Sequence, residues 1–504
     1  MSPVPSYFDK STTLVDGHST ADVNSLKPHH DGFGTRAVHV GSEPNKETGA
    51  VVPPISLATT YKQDGVGNHK GFVYSRSGNP NRNALESVLA SIEGGVHGLA
   101  FSSGTAATAT VVNALGSDVH ILSVNDVYGG TYRYIKRVAG ECQGVTSSYV
   151  NLQDEDDKAI LSAFRPNTKL VWIESPTNPT LRLVDIPRIV RLAKSHPSKP
   201  LVLVDNTFLT PFYSSPLLQG ADIVYHSVTK YINGHSDVVM GAVVLPAHHA
   251  ALAEKLRFLQ NAIGAVPSPY DSWLAQRGLK TLHLRMRAHG VNALAVAKAL
   301  QSSPYVEDVL YPGLPSHPQT ALAYRSLSSH ALKFVEKYRK DNSSPEDASF
   351  PYSGMISFRI KGGAEEANRF LTSTRLFTLA ESLGGVESLA EVPAQMTHGS
   401  IPPAERELLG IGDNLIRLSV GVEETEDLVH DIEQALEAAV RPQPPREPSI
   451  TTGPTAVGPW PGHPPLMSSP KLPVHQGGKS SIIRGWVLKA GFRRPTVPSL
   501  ASFR

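Results

Sequence analysis

Between Leu99 and Val244 the chain alternates short, nearly unbroken apolar runs with helix-length amphipathic stretches. The runs are Leu99–Ser103, His120–Val124, Leu170–Glu174, Leu201–Asp205, Ile223–Ser227 and Val238–Val244. Runs this continuous suit strands covered on both faces, so they predict a mostly parallel sheet sandwiched by helices. Leu152–Phe164 and Ile186–His196 have the length of connecting helices, and the whole reads as a doubly wound α/β domain. After a helix-rich bridge from Ala250 to about Leu300, Gly354–Ile360 and Leu415–Val420 alternate like strands with one wet face. They predict a smaller α+β domain ending near Val440, and the polar stretch Lys340–Phe350 reads as a surface loop.

Composition narrows the class. Of 504 residues, 40% are hydrophobic and 18% charged, enough for a sizeable core and too apolar for disorder throughout. No run reaches the ~18–20 apolar residues of a membrane span. The lone cysteine, Cys142, excludes an internal disulfide framework and a CxxC-type site. It fits a reducing compartment, and no metal site is expected. Residues 1–33 are polar, and Asp9, Asp16, Asp22 and Asp31 speak against a transit peptide. With no apolar signal core either, the expected location is cytoplasmic.

The net charge of +2 is unevenly spread. Residues 441–504 carry nine Lys/Arg against the single acid Glu447, leaving the rest of the chain mildly acidic. The same tail holds 13 of the 40 prolines and reads as a disordered basic appendage. The basic excess therefore says little about a nucleic-acid surface on the folded part. Ser480–Trp486 shows no sustained amphipathic pattern, so neither nucleic acid nor membrane is an expected partner.

In doubly wound sheets ligands sit beyond the carboxyl ends of the strands. The residues there are Ser103-Gly104-Thr105, Asn125–Tyr128, Ser175–Asn178, Asp205-Asn206-Thr207 and Ser227–Lys230, nearly all polar or glycine. Lys230, after a buried strand and among hydroxyls, can become a desolvated amine suited to Schiff-base chemistry. Ser227 and Thr229 offer hydroxyls to a phosphate, and a helix starting at Gly104 and Thr105 offers N–H donors to the same anion. Asp205 reads either as a turn cap or as a carboxylate facing a pyridinium nitrogen. Tyr128 either packs or stacks on that ring. Tyr74 and Arg76 sit in a turn-like segment where the arginine is a phosphate clamp or an exposed cation. Arg417, inside an apolar strand, needs a carboxylate from the protein or from a ligand.

These features occur together within longer strings: Tyr74–Pro80 (YSRSGNP), Asp126–Gly130 (DVYGG), Pro176–Pro179 (PTNP), Val204–Phe208 (VDNTF), Thr229–Asp237 (TKYINGHSD) and Leu379–Gly385 (LAESLGG). With them, residues from about Gly32 to Val440 resemble the cystathionine γ-lyases of the Cys/Met-metabolism family of pyridoxal phosphate (PLP) enzymes. Phe258–Pro269 and Phe377–Ser382 are similar to the γ-lyase branch and its fungal members.

The resemblance implies the PLP-dependent transferase-like fold (fold type I). Flanked by a polar segment 1–33 and the tail 441–504, both read as disordered from composition, the matching region is implied to hold an arm 34–76 contacting a neighbouring subunit, a PLP-binding α/β domain 77–277 and a C-terminal α+β domain 278–440. By resemblance, Lys230 binds PLP covalently and shuttles protons. Asp205 faces the ring nitrogen, and Tyr128 stacks on the ring and helps activate the amine. Gly104, Thr105, Ser227 and Thr229 form the phosphate cup, completed by Tyr74 and Arg76 of a neighbouring subunit in a homotetramer, a dimer of dimers. Arg417, Ser382, Asn178, Arg133, Glu381 and Arg76 would bind the amino-acid substrate. The activity implied is γ-elimination on cystathionine, yielding cysteine, 2-oxobutanoate and ammonia.

One position departs from the family. Immediately before Tyr74 the γ-lyases carry a glutamate that engages the distal amino group of cystathionine; this chain has Val73. The departure keeps open a γ-replacement reading, in which an O-acylhomoserine exchanges its acyl group for a sulfur or carbon nucleophile. A non-catalytic scaffold is a third reading, opposed by Lys230, Asp205 and Tyr128 occurring together.

Overall fold

A computed structural model describes residues 31–440 apart from 343, 345 and 400; the expected N-terminal segment, for all but its last residues, and the expected tail lie outside the described residues. The apolar runs form a seven-stranded sheet. Its strands are β1 (His97–Phe101), β2 (His120–Val124), β3 (Thr146–Val150), β4 (Thr168–Glu174), β5 (Leu201–Asp205), β6 (Ile223–Ser227) and β7 (Gly241–Leu245). The order is β1-β7-β6-β5-β4-β2-β3, parallel except for β7, which runs antiparallel to both neighbours. Burial on both faces explains the unbroken hydrophobicity. Leu99, Phe101 and Val243 pack into one core while Ala100, Ala242 and Val244 pack into the other.

The second sheet has strands β8 (Val306–Leu310), β9 (Met355–Ile360), β10 (Thr378–Leu379), β11 (Leu389–Glu391) and β12 (Leu415–Ser419), in the order β8-β9-β12-β11-β10. It is antiparallel except where β10 pairs with β11. Helices Leu282–Ser302, Ala364–Ser373 and Thr425–Val440 pack around it. The expectation of one wet face on β9 and β12 is corrected here: Ser357, Arg417 and Ser419 are all buried. Their polar face meets the large sheet's loops, with Ser357 donating to the Pro179 carbonyl at 2.6 Å.

Other differences are local. β1 stops at Phe101 because the Ser103 hydroxyl leaves the sheet to cap the following helix. The helix expected over Leu152–Phe164 shrinks to Asp157–Ser162, its start fixed by the Asp156 side chain accepting the Ala159 N–H at 2.7 Å. β3 escaped the hydrophobic pattern because it is a half-exposed edge strand reading Thr-Ser-Ser-Tyr-Val. Within the expected loop, Lys340–Asn342 end the helix Ser329–Asn342, and Ser349 and Phe350 are buried. Among the described residues no helix is long and apolar enough to cross a membrane.

Candidate active site

Three parallel strands end in one layer. Glu174 on β4 pairs in register with Asp205 on β5, and Asp205 with Tyr225 on β6. Beyond these ends lies a cavity of about 310 Å³, within the ~300–1,000 Å³ of small-molecule sites. Lys230, Asp205, Tyr128, Gly104, Thr105, Ser227, Thr229, Arg417, Ser382, Asn178 and Glu381 all line it.

One wall is the start of helix Gly104–Leu115. The Ser103 hydroxyl accepts the Ala106 N–H at 3.0 Å, while the helix's first N–H groups have no intrahelical partner. Glycine is required here by space. A Cβ on Gly104 would stand 2.5 Å from the Tyr225 hydroxyl, and one on Gly241 would stand 2.4 Å from the Ser103 carbonyl. The Ser227 hydroxyl has no hydrogen bond among the described residues, whereas the Thr229 hydroxyl accepts from Met240 N at 2.9 Å and faces its carbonyl at 3.2 Å.

Asp205 is held by Thr207, whose backbone N–H and hydroxyl donate to Oδ1 at 2.9 and 2.5 Å. The same hydroxyl accepts the Ser227 N–H at 2.9 Å, which ties the two strand ends together. Burial pushes the Asp205 carboxyl above its ordinary value, against those hydrogen bonds and the buried His226. Glu174 is pushed further up, first by burial and then by Asp205 beside it. Glu174 also accepts the Tyr128 N–H on both oxygens, at 3.0 and 3.1 Å, and so anchors the backbone under that ring.

Lys230 donates from Nζ to the Ser382 hydroxyl at 2.6 Å. Burial, and then the Arg417 cation, lower its amine to about 8 from the ordinary 10.5. Ser382 has a φ of +103°, a region non-glycine residues enter at a cost of ~1–3 kcal/mol. That backbone lets one residue face two cations: its hydroxyl meets Lys230, and its carbonyl accepts Arg417 Nη2 at 2.8 Å.

Arg417 finds its carboxylate in the protein. Glu391, its register partner on β11, lies 3.0 Å from Nη1, and both side chains are almost fully buried. Nη1 also donates to Asn178 Oδ1 at 2.9 Å, while Nε and Glu391 Oε2 are buried without hydrogen bonds among the described residues. A neutralised guanidinium with an unused donor can take a second carboxylate at less desolvation cost than a bare one.

Three expected site residues do not line this cavity. Tyr74 is 45% exposed, and the Arg76 guanidinium lies 5.5 Å from its ring centroid. Arg76 Nε donates to Asn261 at 3.2 Å. Arg133 is exposed at the end of the short helix Gly129–Arg133, close enough to Tyr128 to oppose the rise of its hydroxyl pKa. Sequence reasoning assigned no role to Glu174, Thr207, Glu391 or Tyr225, although Thr207 stood among the strand-end residues. Glu174 carried a readable signal, a carboxylate ending a buried strand as Asp205 does. Glu391 carried none, because its strand is three residues long.

A family profile described as Cys/Met metabolism PLP-dependent enzyme matches residues 34–437. The chain belongs to this family. It is 50% identical to human cystathionine γ-lyase over 423 residues, 84% of this chain and 98% of that one. It is 51% identical to the Saccharomyces cerevisiae cystathionine γ-lyase over 413 residues, 81% and 98% of the two chains. The crystal structure of cystathionine γ-lyase from yeast superimposes with a TM-score of 0.73 at 49% identity, covering 82% of this chain and 99% of that one.

The family's cofactor is pyridoxal phosphate, and the donor set fits it. An aldehyde needs a nucleophilic amine, and Lys230 is lowered to about 8. A phosphate dianion needs clustered donors, and the helix start with the uncommitted Ser227 hydroxyl supplies them. A pyridinium needs a buried carboxylate, and Asp205 lines the same cavity.

Proposed function

We propose that this chain is a PLP-dependent carbon–sulfur lyase that cleaves cystathionine by γ-elimination to cysteine, 2-oxobutanoate and ammonia. The observation that carries the reading is a single cavity lined by a depressed lysine amine, a strand-end carboxylate and a buried arginine. Likeness to proteins named cystathionine γ-lyase along 98% of their length adds the substrate.

The cofactor, when bound, supplies an electron sink for negative charge developing at the substrate Cα. Lys230 Nζ would hold the cofactor covalently, and as a free amine in the same cavity it would receive the substrate Cα proton. A lowered pKa suits that task, because a base near the working pH is both neutral and basic enough. Ser382 holds the amine in place between transfers. Asp205, fixed by Thr207, keeps the ring nitrogen protonated. Tyr128, its backbone anchored on Glu174, would lie against the cofactor ring and would help activate the substrate amine. Gly104, Thr105, Ser227 and Thr229 bind the phosphate, and Arg417 with Asn178 orients the α-carboxylate. Glu381, which lines the cavity, and Arg133, which lies outside its lining, are proposed to meet the substrate.

The proposed assembly is a homotetramer of active dimers in which Tyr74 and Arg76 serve the neighbour's phosphate cup. Support comes from their absence from this chain's own cavity lining and from the exposed apolar arm residues Val51, Val52 and Leu57. A cytoplasmic location is supported by Cys142, an exposed free thiol suited to a reducing compartment.

The test is product analysis by mass spectrometry. Purified protein is offered cystathionine and O-acetylhomoserine in parallel, with and without a thiol nucleophile. Cysteine and 2-oxobutanoate from cystathionine are the expected products. Turnover of O-acetylhomoserine but not cystathionine, with the added thiol displacing acetate to give a new thioether, would establish γ-replacement, the reading that Val73 keeps open.

A further inference from the structure

We propose a second ligand site, for a divalent metal ion of the zinc class, formed by Asp222, His248 and His249 at the opposite edge of the large sheet from the cofactor cavity. Asp222 immediately precedes β6, and the two histidines lie in the single turn Ala247–His249 that follows β7. Because β6 and β7 are antiparallel, with Val224 opposite Val244, the start of one meets the end of the other. Residues distant in sequence thereby offer three ligand atoms within 4.8 Å of one another.

The carboxylate is built in rather than a loose surface group. Asp222 is buried, its Oδ2 accepts the Val202 N–H at 2.8 Å, and its Oδ1 lies 2.7 Å from His249 Nε2. A single Asp–His hydrogen bond would account for those two residues. His248 is the residue it does not account for. Its ring centroid lies 4.3 Å from that of His249, and among the described residues it has no hydrogen bond. An exposed imidazole converging on an occupied Asp–His pair is a donor without an acceptor's job. A metal ion would give it one.

The donor set selects the ion. Two imidazoles and one carboxylate suit zinc, nickel, cobalt or copper, and supply too few oxygens for calcium. Tetrahedral zinc with bonds of ~2.0–2.2 Å needs ligand atoms roughly 3.4 Å apart. The Asp222–His249 spacing opens slightly to reach this, and rotation of the exposed His248 closes the remaining gap. Water completes the coordination. Asp222 is already fixed to β5 through Val202, so the ion would bind together β5, β6 and the segment after β7. No residue lining the cofactor cavity belongs to the cluster, so the ion would add stability and leave turnover unchanged.

The experiment uses the full-length, tag-free holoenzyme titrated with Zn²⁺ by calorimetry and thermal melting, with Co²⁺ as a visible-absorbance probe. One ion per chain and a melting temperature that rises to saturation are expected. His248→Ala and His249→Ala should each weaken binding about tenfold or more, shift the cobalt spectrum and leave cystathionine turnover unaltered. His248 is exposed, so its removal leaves the fold standing. Absence of saturable uptake, or equal binding by the double variant His248→Ala/His249→Ala, would overturn the proposal.

Discussion

At the scale of single residues, desolvation does most of the work. Lys230 is a turn residue whose charge is opposed by burial and by Arg417, so its folded pKa of about 8 lies below the ordinary 10.5. Between those values the amine is neutral in the folded chain and charged in the unfolded one. The rate at which cofactor-free protein takes up PLP should therefore rise with pH through about 8 and level off above it, followed by the growth of visible absorbance. By the same linkage, the stability of the cofactor-free chain rises between pH 8 and 10.5 and carries the full burial penalty below 8. Lys230→Ala should lose both the absorbance and turnover; a yellow, active variant would exclude Lys230 as the anchor. Val73 is 41% exposed, and its carbonyl accepts the Tyr61 N–H at 3.2 Å, so a larger side chain is tolerated. Val73→Glu should lower KM for cystathionine about tenfold at similar kcat, the worth of one charged hydrogen bond of ~1.4 kcal/mol. An unchanged or higher KM would show that this position does not meet the substrate.

At the scale of elements, the strand ends and one helix start define the site. Asp205, Ser227 and Lys230 were legible in sequence because each ends or follows an apolar run, and the carboxyl edge of a doubly wound sheet is where ligands sit. Arg417 was legible as a misfit, a cation inside an apolar strand, but its partner was not. Only strand pairing brings Glu391 opposite it. The φ of +103° at Ser382 was likewise invisible, since serine carries no signal for that backbone. The helix start gives a direct test of close packing. Gly104→Ala places a methyl 2.5 Å from the Tyr225 hydroxyl, against a side chain buried beside Trp172. The variant should lose about 1–3 kcal/mol in denaturant unfolding and release PLP faster on dialysis. Retention of both would show that Tyr225 moves freely, which its burial opposes.

At the scale of the whole molecule, the two sheets close the cavity between them and a neighbouring copy is proposed to complete it. Subunit mixing tests this. Arg76→Ala and Lys230→Ala, each expressed alone, should be impaired or inactive. Coassembled, they should regain activity above the sum, because some sites then combine an intact Lys230 with an intact Arg76 from the other chain. A strictly additive result would mean that each chain uses its own Arg76. Deleting residues 441–504 should leave turnover and melting temperature nearly unchanged, since every residue lining the cavity precedes them. A marked loss in a melting experiment would show that the tail contributes to the folded unit.

Local periodicity determined six of the large sheet's seven strands, because a strand buried on both faces is apolar along its length, whereas the half-exposed edge strand β3 is not. It also determined which residues stand at the strand ends, and the linear motifs determined the family. The burial of both faces of β9 and β12, the Arg417–Glu391 pair, the Glu174–Asp205 adjacency and the Asp222–His248–His249 cluster were decided only in three dimensions. Each depends on strand register or on the packing of one sheet's loops against the other sheet. Those are contacts between residues far apart along the chain, and hydrophobic patterning reports which face is covered but not what covers it.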